Sequence, residues 1–207
     1  IDTHSYVLLN GLQETVKVNN RIEELGVHQF PSVVSPRGYL FLESFKLERI
    51  PTWTYKVGAV LIKKELLCVE DVNQTLIRYT LLEGESVEFK LRPFSSFRRI
   101  HKLRKSSKSI YPILQVPNGI SYRMDNDLDK VFIQTSTDNS FSEKGDWFYN
   151  AEYLVEHDRG YQFHEDLFSA GELSLILSSQ RPLVVSISTE EAKTSTLNSV
   201  FENSLNL

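Results

Sequence analysis

The hydrophobic and polar positions of this chain follow the two-residue period of β-strands through most of its length. The clearest case is residues 86–91, where Val87, Phe89 and Leu91 fall on one side and charged residues fall between them. Because successive side chains of a strand point to opposite faces, this alternation predicts a strand with one buried face. Short polar turns between such segments favour antiparallel strands, and hence a sandwich or a barrel.

Other segments rich in aliphatic, β-branched or aromatic residues predict further strands between these turns. The predicted strands are residues 4–9, 39–47 in part, 52–56, 59–69, 75–82, 111–116, 119–122, 130–135, 172–177 and 182–188. Within residues 39–47, Phe41, Phe45 and Leu47 share one side. Turns or loops are predicted at Asn10-Gly11, 26–38, 92–108, 138–145 and 157–160.

The final segment has a helical period instead. Thr189, followed by Glu190 and Glu191, is typical of a helix start with acidic residues in the first turn. Apolar residues then recur at helical spacing at Leu197, Val200, Phe201 and Leu205. We interpret this helix as a connector toward a partner domain rather than a closing cap. The pattern thus divides the chain into a β-domain, residues 1–188, and a helical linker, residues 189–207.

Composition narrows the class of protein. In 207 residues, 41% hydrophobic and 11% aromatic content is enough to bury the core of one large all-β domain. The net charge of the chain is -4, whereas nucleic-acid-binding proteins usually carry a strongly basic surface. No apolar run is long enough to cross a bilayer, and the one cysteine, Cys68, fits a reducing compartment. We therefore expect a cytoplasmic protein with neither nucleic acid nor membrane as partner.

Two segments carry the candidate chemistry. Residues 147–173 combine an aromatic run, which includes Trp147 and Tyr149, with a dense polar block that contains Arg159, His164, Glu165 and Asp166. Residues 92–108 carry the only concentrated positive charge, which includes Arg92, Arg98 and His101. The simpler interpretation of the first segment is a hairpin turn at residues 157–160 with solvated flanks.

Catalytic and metal motifs are weak in this sequence. Cys68 has no histidine nearby, the five histidines lack metal spacing, and no glycine-rich phosphate loop occurs. The acidic run 125–129 lacks the glycine and the later glutamate of a calcium loop. Glycoside hydrolysis needs two carboxyl groups about 5–9.5 Å apart, whereas Glu165 and Asp166, if extended, point to opposite faces. The sequence therefore predicts no catalytic residue, metal site or cofactor.

Four blocks of the sequence together resemble one enzyme family. They are HQFPSVVSPRGYLFLESFKLERIPTWTYKVG at 28–58, LRPFSSFRRIHKL at 91–103, WFYNAEYLVEHDRGYQFHEDLFSAGEL at 147–173, and the apolar strands that end at Ser188. Their order is similar to that in the amino-terminal domain of bacterial and archaeal glycogen debranching enzymes of the amylo-α-1,6-glucosidase type. The chain departs from that pattern in its shorter front segment and in Ala170, where proline is common.

The resemblance implies a large antiparallel β-sandwich, of the supersandwich, galactose mutarotase-like kind, ahead of an (α/α)6 barrel. In that family the barrel carries the catalytic carboxylates, and the sandwich packs beside it and helps to shape the cleft. The implied function is a non-catalytic domain, inactive by itself, in glycogen catabolism. Its implied partners are the barrel and, through the full-length enzyme, an α-glucan such as glycogen or a maltooligosaccharide.

The resemblance also transfers a set of polar positions. These are Arg92, Arg98 and His101 in one predicted loop, and Arg159, His164, Glu165 and Asp166 in another. We expect both loops at one end of the sandwich, where an arginine paired with Glu165 or Asp166 fixes loop shape or contacts the barrel or the sugar. Trp53, Trp147 and Tyr149 are candidates for stacking on a pyranose, or for core packing. Two alternatives stay open: a free-standing α-glucan-binding module, and a sandwich glycosidase or sugar epimerase.

Overall fold

Strands make up most of the computed structural model, which describes residues 5–206. The His4 end of the first predicted strand lies outside the described residues. The strands are β1 (Tyr6–Val18), β2 (Arg21–Glu24), β3 (Val27–Phe30), β4 (Val33–Arg37), β5 (Leu42–Leu47), β6 (Pro51–Val57), β7 (Val60–Cys68), β8 (Gln74–Glu83), β9 (Ser86–Arg99), β10 (Ile113–Val116), β11 (Gly119–Tyr122), β12 (Val131–Thr135), β13 (Ser140–Glu152), β14 (His164–Ser178) and β15 (Leu183–Ser188). Two short helices, α1 (Leu154–Asp158) and α2 (Leu197–Leu205), and 3-10 turns at Gly38–Phe41 and Thr194–Thr196 complete the described elements.

Two antiparallel sheets face each other. The smaller has five strands in the order β13-β14-β9-β1-β2, and the larger has eight in the order β10-β11-β12-β15-β8-β7-β6-β5. Strands β3 and β4 form a separate hairpin. The predicted all-β sandwich with a C-terminal helix is therefore confirmed.

The core lies between the two sheets, and the alternation along the strands explains it. On β9, Val87, Phe89 and Leu91 are buried, as their two-residue period predicts. Their neighbours on β14 keep the same face, since Phe89 pairs with Leu175 and Leu91 with Leu173. The facing side chains of the larger sheet include the fully buried residues Ile62, Tyr79 and Ile133.

Several predicted turns are instead parts of strands. Asn10-Gly11 lies inside β1, where the pairing with β9 is irregular but continues. Residues 26–38, predicted as a loop, contain the β3–β4 hairpin. Strand β9 runs on to Arg99 through the first half of the predicted loop 92–108, and β13 begins at Ser140 within the predicted turn 138–145. Pairing with a neighbouring strand overrides the local polar composition at these positions.

The C-terminal helix begins later than predicted, and it packs against the larger sheet. The backbone of Ala192 exchanges hydrogen bonds with the Gln134 side chain. Residues 189–193 are therefore not helical, and α2 begins at Leu197, after the 3-10 turn. Leu197 and Phe201 are buried against Leu67, Leu76 and Val184 on the outer side of the larger sheet. The apolar stripe of α2 therefore packs against the sandwich, while the role of residues 189–207 as a linker toward a partner domain stays a prediction.

Candidate functional site

A buried carboxylate organises the polar residues at one end of the smaller sheet. Glu165, the second residue of β14, is 0% exposed. It accepts hydrogen bonds from the Tyr153 hydroxyl at 2.6 Å, the Arg104 backbone N–H at 2.9 Å and the Asn10 amide at 3.2 Å. Such a carboxylate needs donors and a counter-charge to replace the water it has lost. We call Glu165, Arg98, Tyr153, Asn10 and Arg104 the Glu165 cluster.

Arg98 supplies the counter-charge. Its Nε lies 2.5 Å from Glu165 Oε1, and its Nη2 donates to Oε2 at 3.1 Å, so guanidinium and carboxylate meet side by side. The Arg98 Nη1 donates to the backbone oxygens of Ile100 and Arg99 at 2.6 and 3.2 Å. Arginine suits this position because its planar fork can bind a carboxylate and backbone oxygens together.

Arg104 holds the segment that follows β9 against the sheet. Its Nη2 donates to the Phe97 carbonyl at 2.6 Å and its Nε donates to the Ser96 carbonyl. Phe97 has a φ of +44, in the left-handed region, and its ring is buried beside Tyr122. The backbone irregularity at Phe97 thus frees carbonyl groups that Arg104 satisfies, while the Arg104 backbone N–H reaches Glu165.

Asp166, the next residue of β14, also holds connecting segments in place, and it does so through backbone N–H donors. Its two oxygens accept hydrogen bonds from the N–H groups of Asn150 and Ser106, each at 2.9 Å, and Lys105 Nζ lies 3.8 Å away. Burial acts to raise the pKa of Asp166, but these donors and the Lys105 charge outweigh it, so the pKa lies below its ordinary value. Asp166 therefore anchors two connecting segments to β14.

Substitution of Asp166 by asparagine is expected to cost stability at neutral pH and to cost less in acid. The folded-state pKa lies below the unfolded value, so the carboxylate stabilises the fold above the unfolded pKa and stops doing so as the pH falls through the folded pKa. Urea titrations should give a constant difference in unfolding free energy between wild type and Asp166→Asn above about pH 5, and a shrinking one below about pH 4. A difference that persists unchanged in acid would contradict this role.

Asp138→Asn serves as the matched control, because Asp138 is exposed in the connection between β12 and β13. We expect it to change the unfolding free energy by no more than about 0.5 kcal/mol at either pH.

The Glu165 cluster is closed to substrate. Burial and the Glu165 hydrogen bond raise the pKa of Tyr153 to about 12, so its hydroxyl stays protonated and donates to the carboxylate. Glu165 has no exposed surface through which a glycosidic oxygen could reach it. A general acid or nucleophile must come within hydrogen-bond reach of the reacting atoms. The cluster can therefore fix the loops but cannot act on a sugar.

The remaining predicted polar residues do not join this cluster. Arg92 lies on the outer side of β9, 3.4 Å from Glu172 and above the Phe148 ring. His164 contacts Glu152 at 3.0 Å, and Arg159 contacts Glu156 at 3.2 Å near the surface. His101 is exposed in the turn after β9. Of the seven polar positions that the family resemblance predicts, Arg98, Glu165 and Asp166 thus take part in the contacts that hold the connecting segments.

The three candidate stacking residues occupy separate places. Trp147 packs edge-on against Phe168 and Tyr111, so it belongs to the border of the core. Trp53 lies on β6 of the larger sheet beside Phe45. Tyr149 on β13 is 58% exposed. The structure therefore gives them no common stacking surface.

Three members of the Glu165 cluster, Asn10, Tyr153 and Arg104, are not among the functional residues predicted from the sequence. Asn10 lies 155 positions before Glu165, and no spacing rule links the two. Tyr153 and Arg104 stand in the aromatic and basic segments already singled out, but nothing in those segments distinguishes them from their neighbours. The pairing of β1 with β9, of β9 with β14 and of β13 with β14 brings these residues together.

Among residues 5–206, no group of three or more histidine, cysteine, aspartate or glutamate side chains is arranged to hold a metal ion. In the same described residues, no helix has the length and apolarity that crossing a membrane requires.

Comparison with known protein families gives a match over most of the chain. The family model described as glycogen debranching enzyme N terminal matches residues 2–184. The chain belongs to this family. Among curated protein sequences, none matches the chain.

Solved structures show how this debranching-enzyme N-terminal domain resembles parts of larger proteins. A bacterial glucoamylase complexed with acarbose is 9% identical, matches 98% of this chain and 31% of its own, and gives a TM-score of 0.50. A protein described as a kojibiose phosphorylase from the human microbiome is 11% identical, with 98% and 25% covered and a TM-score of 0.42. At such identity the likeness to the glucoamylase is one of fold. The domain spans less than a third of either protein.

Proposed function

We propose that this chain is the non-catalytic N-terminal domain of an amylo-α-1,6-glucosidase, which packs against an (α/α)6 catalytic domain and helps to shape its α-glucan cleft. The observation that carries the proposal is the family match, which extends over residues 2–184 of 207. The substrate is glycogen or a maltooligosaccharide, bound by the full-length enzyme. The enzyme works in the cytoplasm, where glycogen catabolism takes place and where the exposed thiol of Cys68 stays reduced.

The contacts of the best carboxylate candidates support a non-catalytic role. Glu165 is bound by Arg98, Tyr153 and Arg104, and Asp166 is bound by two backbone N–H groups. A glycosidase instead needs two carboxyl groups that face the scissile bond from opposite sides. The two acids present here are adjacent on one strand and already occupied. The catalytic carboxylates therefore belong to the partner domain.

This proposal predicts a division of activity that one assay can measure. The 207-residue chain should release no glucose from an α-1,6-branched maltooligosaccharide, because Glu165 and Asp166 are buried and already hydrogen-bonded within the protein. The complete gene product, translated past Leu207, should release glucose from the branch point. Activity of the short chain, or a complete product without any α-1,6-glucosidase activity, would contradict the proposal.

Calorimetry separates this role from that of a free-standing carbohydrate-binding module. If the domain is accessory, titration of the 207-residue chain with maltooligosaccharide at millimolar concentration should give no measurable heat. A Kd in the millimolar range corresponds to a binding free energy of about 4 kcal/mol. Saturable binding at or below that concentration would favour the module instead.

A further inference from the structure

The basic segment that follows β9 borders a cleft that no part of the proposed function uses. Residues 98–108 contain six lysine or arginine residues and no acidic residue, whereas the whole chain has 23 basic and 27 acidic residues. The cleft has a volume of about 660 Å³, within the range of about 300–1,000 Å³ that small-ligand sites occupy. Five of the residues that line it are cationic: Arg98, Arg99, Lys102, Arg104 and Lys105. We call this space the basic cleft.

Two of these cations serve buried carboxylates. Arg98 meets Glu165 side by side, and Lys105 Nζ lies 3.8 Å from Asp166. The Glu165 carboxylate offsets most of the Arg98 charge, because the two groups are in contact and shielded from water. An anion in the basic cleft must therefore be bound mainly by other cations.

Arg104 is the cation best placed to bind an anion. Its Nε and Nη2 donate to the carbonyl groups of Ser96 and Phe97, which fix the half-buried guanidinium in the wall of the cleft. The ion pairs among residues 5–206 include none with Arg104, and its Nη1 donates to no group of those residues. Neutral carbonyl groups leave the guanidinium its full positive charge, since arginine stays protonated in proteins. A fixed, half-buried cation without a carboxylate partner favours an anionic ligand.

Lys102 adds an exposed cation to the same lining. It follows the turn after β9, where its backbone N–H donates to the Arg99 carbonyl at 3.0 Å. Asp125 and Asp127 also line the cleft, and the Asp127 backbone N–H donates to Asp125 Oδ1 at 3.1 Å. Because these two acids repel an anion, the strength of binding should respond to charge changes of either sign.

We propose that the basic cleft binds a small phosphate monoester, with the phosphate group against Arg104 and Lys102. A phosphate dianion offers three acceptor oxygens, which suit the forked N–H donors of a guanidinium together with a lysine ammonium. The volume of the cleft fits one phosphorylated sugar, and the net charge of -4 opposes a long polyanion such as nucleic acid. This site goes beyond the proposed function, because a neutral α-glucan carries no group for it.

Isothermal titration calorimetry of the 207-residue chain tests this proposal, with inorganic phosphate and glucose 6-phosphate as probes in a low-salt buffer. Both should bind saturably with a Kd of about 1 mM or below. Arg104→Gln should weaken binding at least about tenfold, the effect of one charge-assisted hydrogen bond. Lys102→Gln leaves the carbonyl contacts of Arg104 in place, so it tests the site even if Arg104→Gln does not fold. It should weaken binding about fivefold.

Two further variants show whether the cleft itself binds the phosphate. Asp127→Asn removes a like charge from the lining and should tighten binding about threefold. Lys108→Gln is the matched control, because Lys108 is exposed in the same basic segment but is not among the residues that line the cleft. Its Kd should stay within about twofold of wild type.

The comparison of probes separates the possible ligands. Tighter binding of glucose 6-phosphate than of inorganic phosphate would show that the cleft also contacts the sugar, and equal binding would show that it contacts the phosphate group alone. Both results support the site. Glucose without a phosphate group should give no heat, and binding of glucose as strong as that of glucose 6-phosphate would overturn the proposal.

Three other results would overturn it as well. The first is the absence of saturable binding with both phosphates at about 10 mM. The second is an equal loss of affinity in Lys102→Gln and Lys108→Gln, which would indicate unspecific attraction by the basic segment. The third is tighter binding of a single-stranded oligonucleotide than of either probe, which would indicate a nucleic-acid surface. The proposed function is decided separately, by the activity of the complete gene product.

Discussion

Replacement of Glu165 by alanine should lower the free energy of unfolding of this domain by about 3–5 kcal/mol, the range observed when one partner of a buried ion pair is removed. The reason is that Arg98, whose side chain is 10% exposed, would keep its charge in a site without the carboxylate. The Tyr153 hydroxyl and the Arg104 N–H would lose their acceptor as well. Urea denaturation followed by circular dichroism measures the change.

Two companion variants make this result specific. Glu172→Ala removes a carboxylate whose partners, Lys90 and Arg92, remain partly in water, so its cost should be about 0–1 kcal/mol. Replacement of both cluster partners, Arg98→Met with Glu165→Leu, should recover much of the loss, because no unpaired buried charge remains. A Glu165→Ala variant as stable as Glu172→Ala would show that the Glu165 cluster does not hold this end of the sandwich.

Phe201→Ala should be similarly costly, at about 3–5 kcal/mol. The Phe201 ring is 0% exposed, and the Arg78 guanidinium lies 4.1 Å from its centroid. Its removal leaves a cavity between α2 and the larger sheet, and it uncovers Leu76 and Val184. The same urea titration measures this change.

Asn203→Ala provides the control within the same helix. Asn203 is exposed, and alanine is the better helix former, so the free energy of unfolding should stay within about 0.5 kcal/mol of wild type. If Phe201→Ala were equally mild, α2 would be only loosely attached to the larger sheet rather than part of the sandwich.

The alternation of apolar residues was a sufficient guide to the strands that build the core. Val87, Phe89 and Leu91 could be assigned to a buried face from their spacing alone, because burial of one face imposes that spacing. The approximate positions of β6 to β8 and of β15 followed from similar reasoning. The architecture of two packed sheets followed from the number of such strands and from the family resemblance.

The errors have a shared physical cause. Residues 92–99 are rich in charge and were predicted as a loop, yet β1 and β14 flank them and take up their backbone hydrogen bonds. Gln134 likewise binds the Ala192 backbone and delays the start of α2. In both places a tertiary contact decides the backbone conformation, and local composition does not reveal that contact.

The candidate site was predictable only in part. Pairing of an arginine with Glu165 or Asp166 was among the sequence expectations, and Arg98 meets Glu165 in the structure. The choice of Arg98 over Arg92 depends on strand register, which sets Arg92 opposite Gln13 of β1 and Arg98 opposite Val7. The placement of the stacking candidates Trp53 and Trp147 on different sheets also depends on strand order, which the sequence pattern does not reveal.

The most direct test of the account is the rate of glucose release from a branched oligosaccharide by the complete gene product that carries Glu165→Gln. The amide has the shape of the acid but cannot donate a proton as a carboxylic acid or attack as a carboxylate. At a temperature where both proteins are folded, the account predicts a kcat within about twofold of wild type, since general acid–base groups contribute about 10²–10⁴-fold and Glu165 is not one of them. A folded Glu165→Gln enzyme whose kcat falls by about 10²-fold or more would contradict the account.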